Sequence, residues 1–179
     1  AALFAVDEIS VGAATLLAGV RFDRIGFTPL DSTETLLLRD VRSRDFSAAT
    51  GAIGFRTPVG RGVSVALQVA RAFRPPSIEE LYSAGPHLAS YAYEIGRPDL
   101  AAERGLGADA VLRWESDRAR VELTGYAMRV QDFITFGPQV DSVTGMPMRD
   151  PRLRRYVVYR PEQRDARLWG AEARVTMMP

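Results

Sequence analysis

The only histidine of the chain, His87, lies in a stretch that also supplies Tyr82, Tyr91, Tyr93 and Glu94: RAFRPPSIEELYSAGPHLASYAYEIGRPDLAAE, residues 71–103. Phenols, an imidazole and a carboxylate in so short a span can stack on, hydrogen-bond to and charge-pair with a small ligand. Nucleophilic catalysis has less support. It would have to combine His87 with Ser83 or Ser90, and no strand–turn–helix serine motif occurs. A metal site is not assigned either. The chain has no cysteine, and a single histidine without a second histidine or a close carboxylate pair falls short of a ligand set. Gly60 and Gly62 in PVGRG read as a turn, since no helix follows to cradle phosphate. The expectation is a non-enzymatic chain with no metal and no cofactor, whose ligand-binding residues are Tyr82, His87, Tyr91, Tyr93 and Glu94.

These residues interrupt two strand-like runs, 63–70 and 106–114. Hairpin loops usually take about two to five residues, and structureless loops beyond roughly 15 are uncommon unless functional. Within the insert, Pro75 and Pro76 stop the first run, and Ser77 with Glu80 three residues on predicts a helix N-terminus. The expected helix has about two turns and ends near Gly85, with ordered coil through Gly96 and Pro98.

The flanking runs alternate with period two. Leu106, Ala108, Ala110, Leu112 and Trp114 share one face, and Gly107, Asp109, Arg113 and Glu115 the other, with Val111 among them. Val63, Val65, Leu67, Val69 and Phe73 oppose Ser64, Gln68 and Arg74. Near the end Trp169, Ala171, Ala173, Val175 and Met177 oppose Gly170, Glu172, Arg174 and Thr176. The pattern predicts strands at roughly 2–10, 14–25, 44–57, 62–73, 104–116, 119–134, 154–160 and 164–178. Short turns at 10–13, 58–62 and 116–119 alternate with long connections at 26–43, 74–103 and 135–163. In an up-and-down antiparallel meander this puts every short turn on one rim and every long loop on the other.

That asymmetry, with strands of about 10 to 13 residues, is the signature of a transmembrane barrel. The polar face agrees. Arg21, Asp23, Gln68, Asp109, Arg113, Glu115, Glu172 and Arg174 would cost several kcal/mol each in a dry interior unless paired. Facing a wet lumen, with Leu, Val, Trp and Phe toward lipid, they cost little. The alternative is a soluble all-β ligand-binding module with its apolar faces packed in a core.

Bulk composition agrees with one folded domain. The chain has 179 residues, 46% hydrophobic and 25% charged, with net charge +1. That balance carries no nucleic-acid footprint. All its basic side chains are arginine apart from His87, and it has no lysine and no asparagine. The opening residues show no basic n-region followed by a long apolar stretch. No run approaches the roughly 20 apolar residues of a spanning helix, which leaves spanning strands open.

Within this frame the insert resembles the barrel motif of TonB-dependent outer-membrane receptors. The matching residues are Arg71, Ala72, Arg74, Pro76, Ser77, Glu80, Leu81 and Tyr82, then residues 85–89, then Glu94, Ile95, Gly96, Pro98, Asp99 and Leu100. LLAGVRFDRI at 16–25 is similar to a family strand, with Phe22 where tyrosine is usual, and LWGAEARV at 168–175 to another. The resemblance implies an all-β antiparallel up-and-down meander of about eight long strands, part of a larger 22-stranded barrel in the bacterial outer membrane. It implies energised uptake of a scarce ligand: an iron chelate, haem, a metal, cobalamin or a sugar. The implied partners are outer-membrane lipid and lipopolysaccharide, and the inner-membrane TonB complex acting through a plug. Residues 1–179 show no plug, no TonB box and no terminal aromatic strand, so the chain reads as a partial barrel domain.

Each candidate residue has a plainer role beside the ligand-binding one. Tyr91 and Tyr93 suit an interfacial aromatic girdle. Glu80 suits an ion pair with Arg74 in the lumen, and His87 a hydrogen bond that holds loop backbone. The basic stretch RDPRLRRYVVYRPEQRDAR, 149–167, suits lipopolysaccharide phosphates or an anionic ligand, or a solvated loop with Asp150, Glu162 and Asp165 offsetting its charge.

Overall fold

The computed structural model describes residues 1–30, 38–150, 152 and 154–178. The part of the 26–43 connection at 31–37, and Pro151 and Leu153 of the basic stretch, lie outside the described residues. Seven long strands form the wall: β1 (Ala2–Val11), β2 (Ala14–Phe27), β3 (Arg44–Gly60), β4 (Val63–Arg74), β7 (Glu103–Glu115), β8 (Ala119–Pro138) and β9 (Val157–Met177). Between β4 and β7 stand a short helix, α1 (Ile78–Tyr82), and two short strands, β5 (Ala84–His87) and β6 (Ala92–Ile95). All nine strands among the described residues belong to one sheet, ordered β1-β2-β3-β4-β7-β8-β9-β6-β5. The long strands pair antiparallel in chain order, and the sheet is open, with β1 and β5 at its two ends.

Two expectations are corrected. The predicted strands 154–160 and 164–178 are one strand of 21 residues. Pro161 does not break it, because it faces Phe136 of β8 where no described strand pairs with its other edge, a position that tolerates proline. The coil predicted after the helix is a hairpin. β5 pairs with β6, and β6 runs parallel to β9 at 157–159. That pairing depends on a strand some sixty residues away, so no local signal announces it.

The rim asymmetry holds. Short turns sit at 12–13, 61–62 and 116–118 on one rim, and long connections at 28–43, 75–102 and 139–156 on the other. The β3–β4 turn places Arg61 and Gly62 at φ 52° and 74°, the left-handed pair of a tight hairpin. A Cβ on Gly62 would stand 2.1 Å from the Glu115 carbonyl oxygen, so that neighbour also demands glycine.

Register assigns the faces, since directly paired residues project to the same side. One face carries Ile53, Val69, Ala108, Ala127 and Trp169 in a single row, with Phe55, Leu67, Ala110, Gly125 and Ala171 in the next. Its large side chains are uncovered: Ile53, Val69 and Leu106 exceed half exposure and Trp169 reaches 82%. A soluble module would bury this face. The opposite face carries a run of ion pairs. Arg113 and Glu122 are paired in register with Nε–Oε2 at 2.9 Å, Glu115 and Arg120 likewise at 2.9 Å, and Arg21 meets Asp23 at 2.7 Å. The segregation is not complete. Leu17, Met128 and Leu168 fall on the polar face, and Asp7, Arg71, Arg104, Arg129 and Arg167 on the apolar one.

The buried residues cluster toward the long-loop rim. Phe46, Leu81, Leu100 and Ile134 form one cluster, and Leu38, Ile95 and Val158 a second. The first joins wall residues of β3 and β8 to the insert. The 75–102 segment therefore folds back onto the wall at the mouth.

Candidate functional site

The insert is seated from its first residues. Ser77 Oγ accepts the Glu80 N–H at 3.1 Å and Glu80 Oε2 accepts the Ser77 N–H at 2.7 Å, the reciprocal cap expected from the sequence. The helix spans five residues and stops at Tyr82, short of the two turns expected, because Ala84–His87 is taken up by pairing with β6. The chain then returns beneath the helix. Gly96 N–H donates to the Ser83 carbonyl at 2.7 Å and Arg97 N–H to the Glu80 carbonyl at 2.8 Å. Gly96 is required there: a Cβ would stand 2.4 Å from the Leu81 carbonyl carbon.

Two carboxylates and a glutamine fasten this unit to the wall. Arg74 meets Glu80 (Nη1–Oε2, 3.0 Å), the pairing the sequence suggests, and also Glu103, with Nε–Oε2 at 2.8 Å. Glu103 is buried and accepts the Ile134 N–H of β8 at 2.8 Å. Gln163 of β9 donates to the Ala101 and Asp132 carbonyls at 2.9 and 2.8 Å and accepts the Ala101 N–H at 3.0 Å. Asp132 has φ 56° at the bulge between Val130 and Phe133. The Arg97 guanidinium, 3.1 Å from Asp99, holds that carboxyl below the usual range. Sequence reasoning singles out neither Glu103 nor Gln163. Glu103 becomes visible only once register places it opposite Arg74.

The five candidate residues divide into two groups. Tyr82 and Tyr93 point into structure. Tyr82 packs on the first buried cluster and donates its hydroxyl to the Arg42 carbonyl at 2.7 Å, and burial pushes its phenol upward. Tyr93 packs on the second and donates to the Ala84 carbonyl at 3.3 Å. His87, Tyr91 and Glu94 belong to the hairpin. His87 Nδ1 lies 2.9 Å from Ser90 Oγ and 3.0 Å from Glu94 Oε1, and Ser90 Oγ donates to Glu94 Oε1 at 3.3 Å. A serine–histidine–acid relay needs serine and acid on opposite ring nitrogens. Here both meet the same one. Tyr91 stands at the turn with φ 51° and is 71% exposed. No group of three or more His, Cys, Asp or Glu poised for a metal occurs among the described residues.

The basic stretch 149–167 is split by the fold. Its second half is wall strand, not loop, with Arg164 on Glu162 at 3.2 Å and Asp165 on Arg129 at 2.8 Å. Asp150, one of the expected charge offsets, is buried and caps the Arg152 N–H at 3.0 Å.

Several solved structures much longer than this chain share its fold. The hemophore receptor HasR of Serratia marcescens, solved with its hemophore HasA and heme, superposes with TM-score 0.72 at 16% identity, covering 99% of this chain and 31% of its own. The copper transporter OprC gives 0.74 at 20%, covering 99% and 25%. The siderophore receptor PirA of Pseudomonas aeruginosa gives 0.68 at 16%, covering 96% and 30%. This chain thus spans about a quarter to a third of their length. At the level of sequence, the description of the TonB dependent receptor-like β-barrel matches residues 1–177. The motif at the mouth, the open sheet with one uncovered apolar face and the match over nearly every residue agree: the chain belongs to the family of TonB-dependent receptor β-barrels.

Proposed function

We propose that these residues form wall and mouth of an outer-membrane receptor that imports a scarce ligand using energy delivered through TonB. The observation that carries this reading is the seated hairpin. A short, fastened unit presents His87, Tyr91 and Glu94 at the long-loop rim while Tyr82 and Tyr93 hold it in place. Loops set on a rigid scaffold are where ligand contacts concentrate. The neighbours that bind haem, copper and siderophores point to an iron chelate, haem or metal ahead of cobalamin or a sugar. The remaining parts of the mechanism, a plug that TonB remodels and the rest of the barrel, belong to the whole receptor. These residues contribute no chemical step, in line with a family of receptors and transporters.

The test is a binding and uptake panel of ferric chelates, haem, copper, cobalamin and oligosaccharides on the whole receptor. His87→Ala, Tyr91→Ala and Glu94→Gln are expected to weaken the active ligand about ten-fold or more by removing its polar contacts. Tyr82→Phe is expected to leave affinity nearly unchanged. Normal affinity in all three hairpin variants would move the ligand site to other loops.

A further inference from the structure

The connection between β8 and β9 opens with a two-stranded arm. Asp141 N–H donates to the Met146 carbonyl at 2.9 Å, and Met148 N–H to the Gln139 carbonyl at 2.8 Å. Val140 and Pro147 face each other between these bonds. Opposed residues of an antiparallel pair project to one side, and so do residues two apart along a strand. Register therefore puts Gln139, Asp141, Met146 and Met148 on one face of the arm, and Val140 and Pro147 on the other.

The arm is held at both ends. At the tip, Asp141 Oδ1 accepts the Thr144 N–H at 2.8 Å, the Thr144 hydroxyl at 3.0 Å and the Val143 N–H at 3.0 Å. Thr144 first, and Val143 after it, hold this carboxyl below its ordinary range, so it is ionised at neutral pH. All three bonds go to Oδ1, which leaves Oδ2 without a bond among the described residues. Gly145 turns the chain at φ 68°. At the base, Val158 N–H donates to the Met148 carbonyl and Gln139 N–H to the Val158 carbonyl, both at 2.8 Å, which ties the arm to β9. Met146 is 67% exposed and Met148 39%, so neither side chain is spent on a core. Their Cα atoms lie about 6.8 Å apart in an extended strand, and the rotatable bonds of each side chain let both sulfurs close on one ion.

We infer that Met146 and Met148 bind a soft monovalent cation, Cu(I), through their two thioether sulfurs, with Asp141 Oδ2 offsetting its charge. Thioether sulfur favours Cu(I), whereas carboxylate, carbonyl and water suit harder ions. The ion binds and leaves as Cu(I), so no electron is transferred. The site is separate from the cluster around His87. His87, Ala92, Val157 and Arg149 share one face by register, and Met148, next to Arg149, points to the other. The inference goes beyond the import reading and does not need it.

The experiment is equilibrium binding to the whole receptor in detergent under anaerobic conditions. The probes are Cu(I) supplied from a chromophoric chelator, Ag(I) as its redox-inert counterpart, and Zn(II). X-ray absorption at the copper edge reads the ligand atoms. The unaltered receptor is expected to hold one more Cu(I) or Ag(I) than the Met146→Leu/Met148→Leu variant, with sulfur neighbours that the variant lacks. Affinity at this site is expected to fall at least about ten-fold in the double variant. Asp141→Asn, which keeps the Oδ1 acceptor and removes the charge, is expected to weaken it about five-fold. Met128→Leu, in the wall, is expected to match the unaltered receptor. Hydrogen exchange at the Asp141 and Met148 amides shows whether the arm is intact, and Met146→Leu alone carries the test if the double variant opens it. The inference is overturned if a variant with an intact arm holds the same number of ions at the same affinity. It is also overturned if Zn(II) displaces Ag(I) at equal concentration, or if the metal lost has no sulfur neighbours. Uptake of the ligand that the hairpin captures is read separately, so either result can fail while the other stands.

Discussion

Arg74, the last residue of β4, lies directly opposite Glu103, the first residue of β7, and its guanidinium also holds Glu80 of α1. Glu103 in turn receives the Ile134 N–H, so one arginine and one buried carboxylate join three wall strands to the helix of the insert. Three predictions follow the links of this mouth.

Arg74→Ala leaves Glu103 buried without its cation, and Glu80 without its second partner. A buried, hydrogen-bonded charge that loses its partner costs about 1–3 kcal/mol, with the part exposure of Arg74 keeping it toward the lower end. The loss is expected to appear locally, as faster hydrogen exchange at residues 77–83 and earlier proteolysis of the insert, while β7–β8 amides keep their protection. Uniform loosening of wall and insert would contradict the local link.

Gly96→Ala and Gly85→Ala are a matched pair. An added Cβ at Gly96 meets the Leu81 backbone at 2.4 Å, whereas at Gly85 it meets nothing within 4 Å. Forcing backbone apart at a packed contact costs about 1–3 kcal/mol. Gly96→Ala is therefore expected to break the Gly96–Ser83 and Arg97–Glu80 hydrogen bonds, and Gly85→Ala to be silent, as read from exchange at the Gly96-position and Arg97 amides. Equal behaviour of the two variants would refute the close approach.

Acid should release the segment at 97–100. The side-chain hydrogen bond from Arg97 holds Asp99 below its ordinary value of 3.8. The folded carboxyl is the stronger acid, so its contribution is present above 3.8 and is lost as pH falls through the lowered folded value. Amides at 97–100 are expected to keep full protection at pH 5 and to lose part of it only below 3.8. Asp99→Asn should remove that dependence, and an unchanged acid profile in the variant would assign the effect to other carboxylates.

The candidate site was legible in part. Ser77 and Glu80 announced their own cap because a capping box is closed within four residues. Tyr82 and Tyr93 stood out by type, yet type does not distinguish a phenol aimed at a ligand from one donating to the Arg42 or Ala84 carbonyl. Glu103 and Gln163 went unremarked because their partners lie about thirty and sixty residues away.

By itself the sequence determined six of the seven long strands, their two faces and the rim on which the long loops fall. Side-chain direction in a strand follows from the pleat, so period-two alternation is a local property and can be read without knowing any neighbour. Only the tertiary structure decided that Val157–Met177 is one strand, that β6 joins it in parallel, and that Arg71, Arg129 and Arg167 share a row. Those facts depend on register between distant segments. Register is set by where each strand enters the sheet and by the bulge between Val130 and Phe133, neither of which is written in any single stretch of chain.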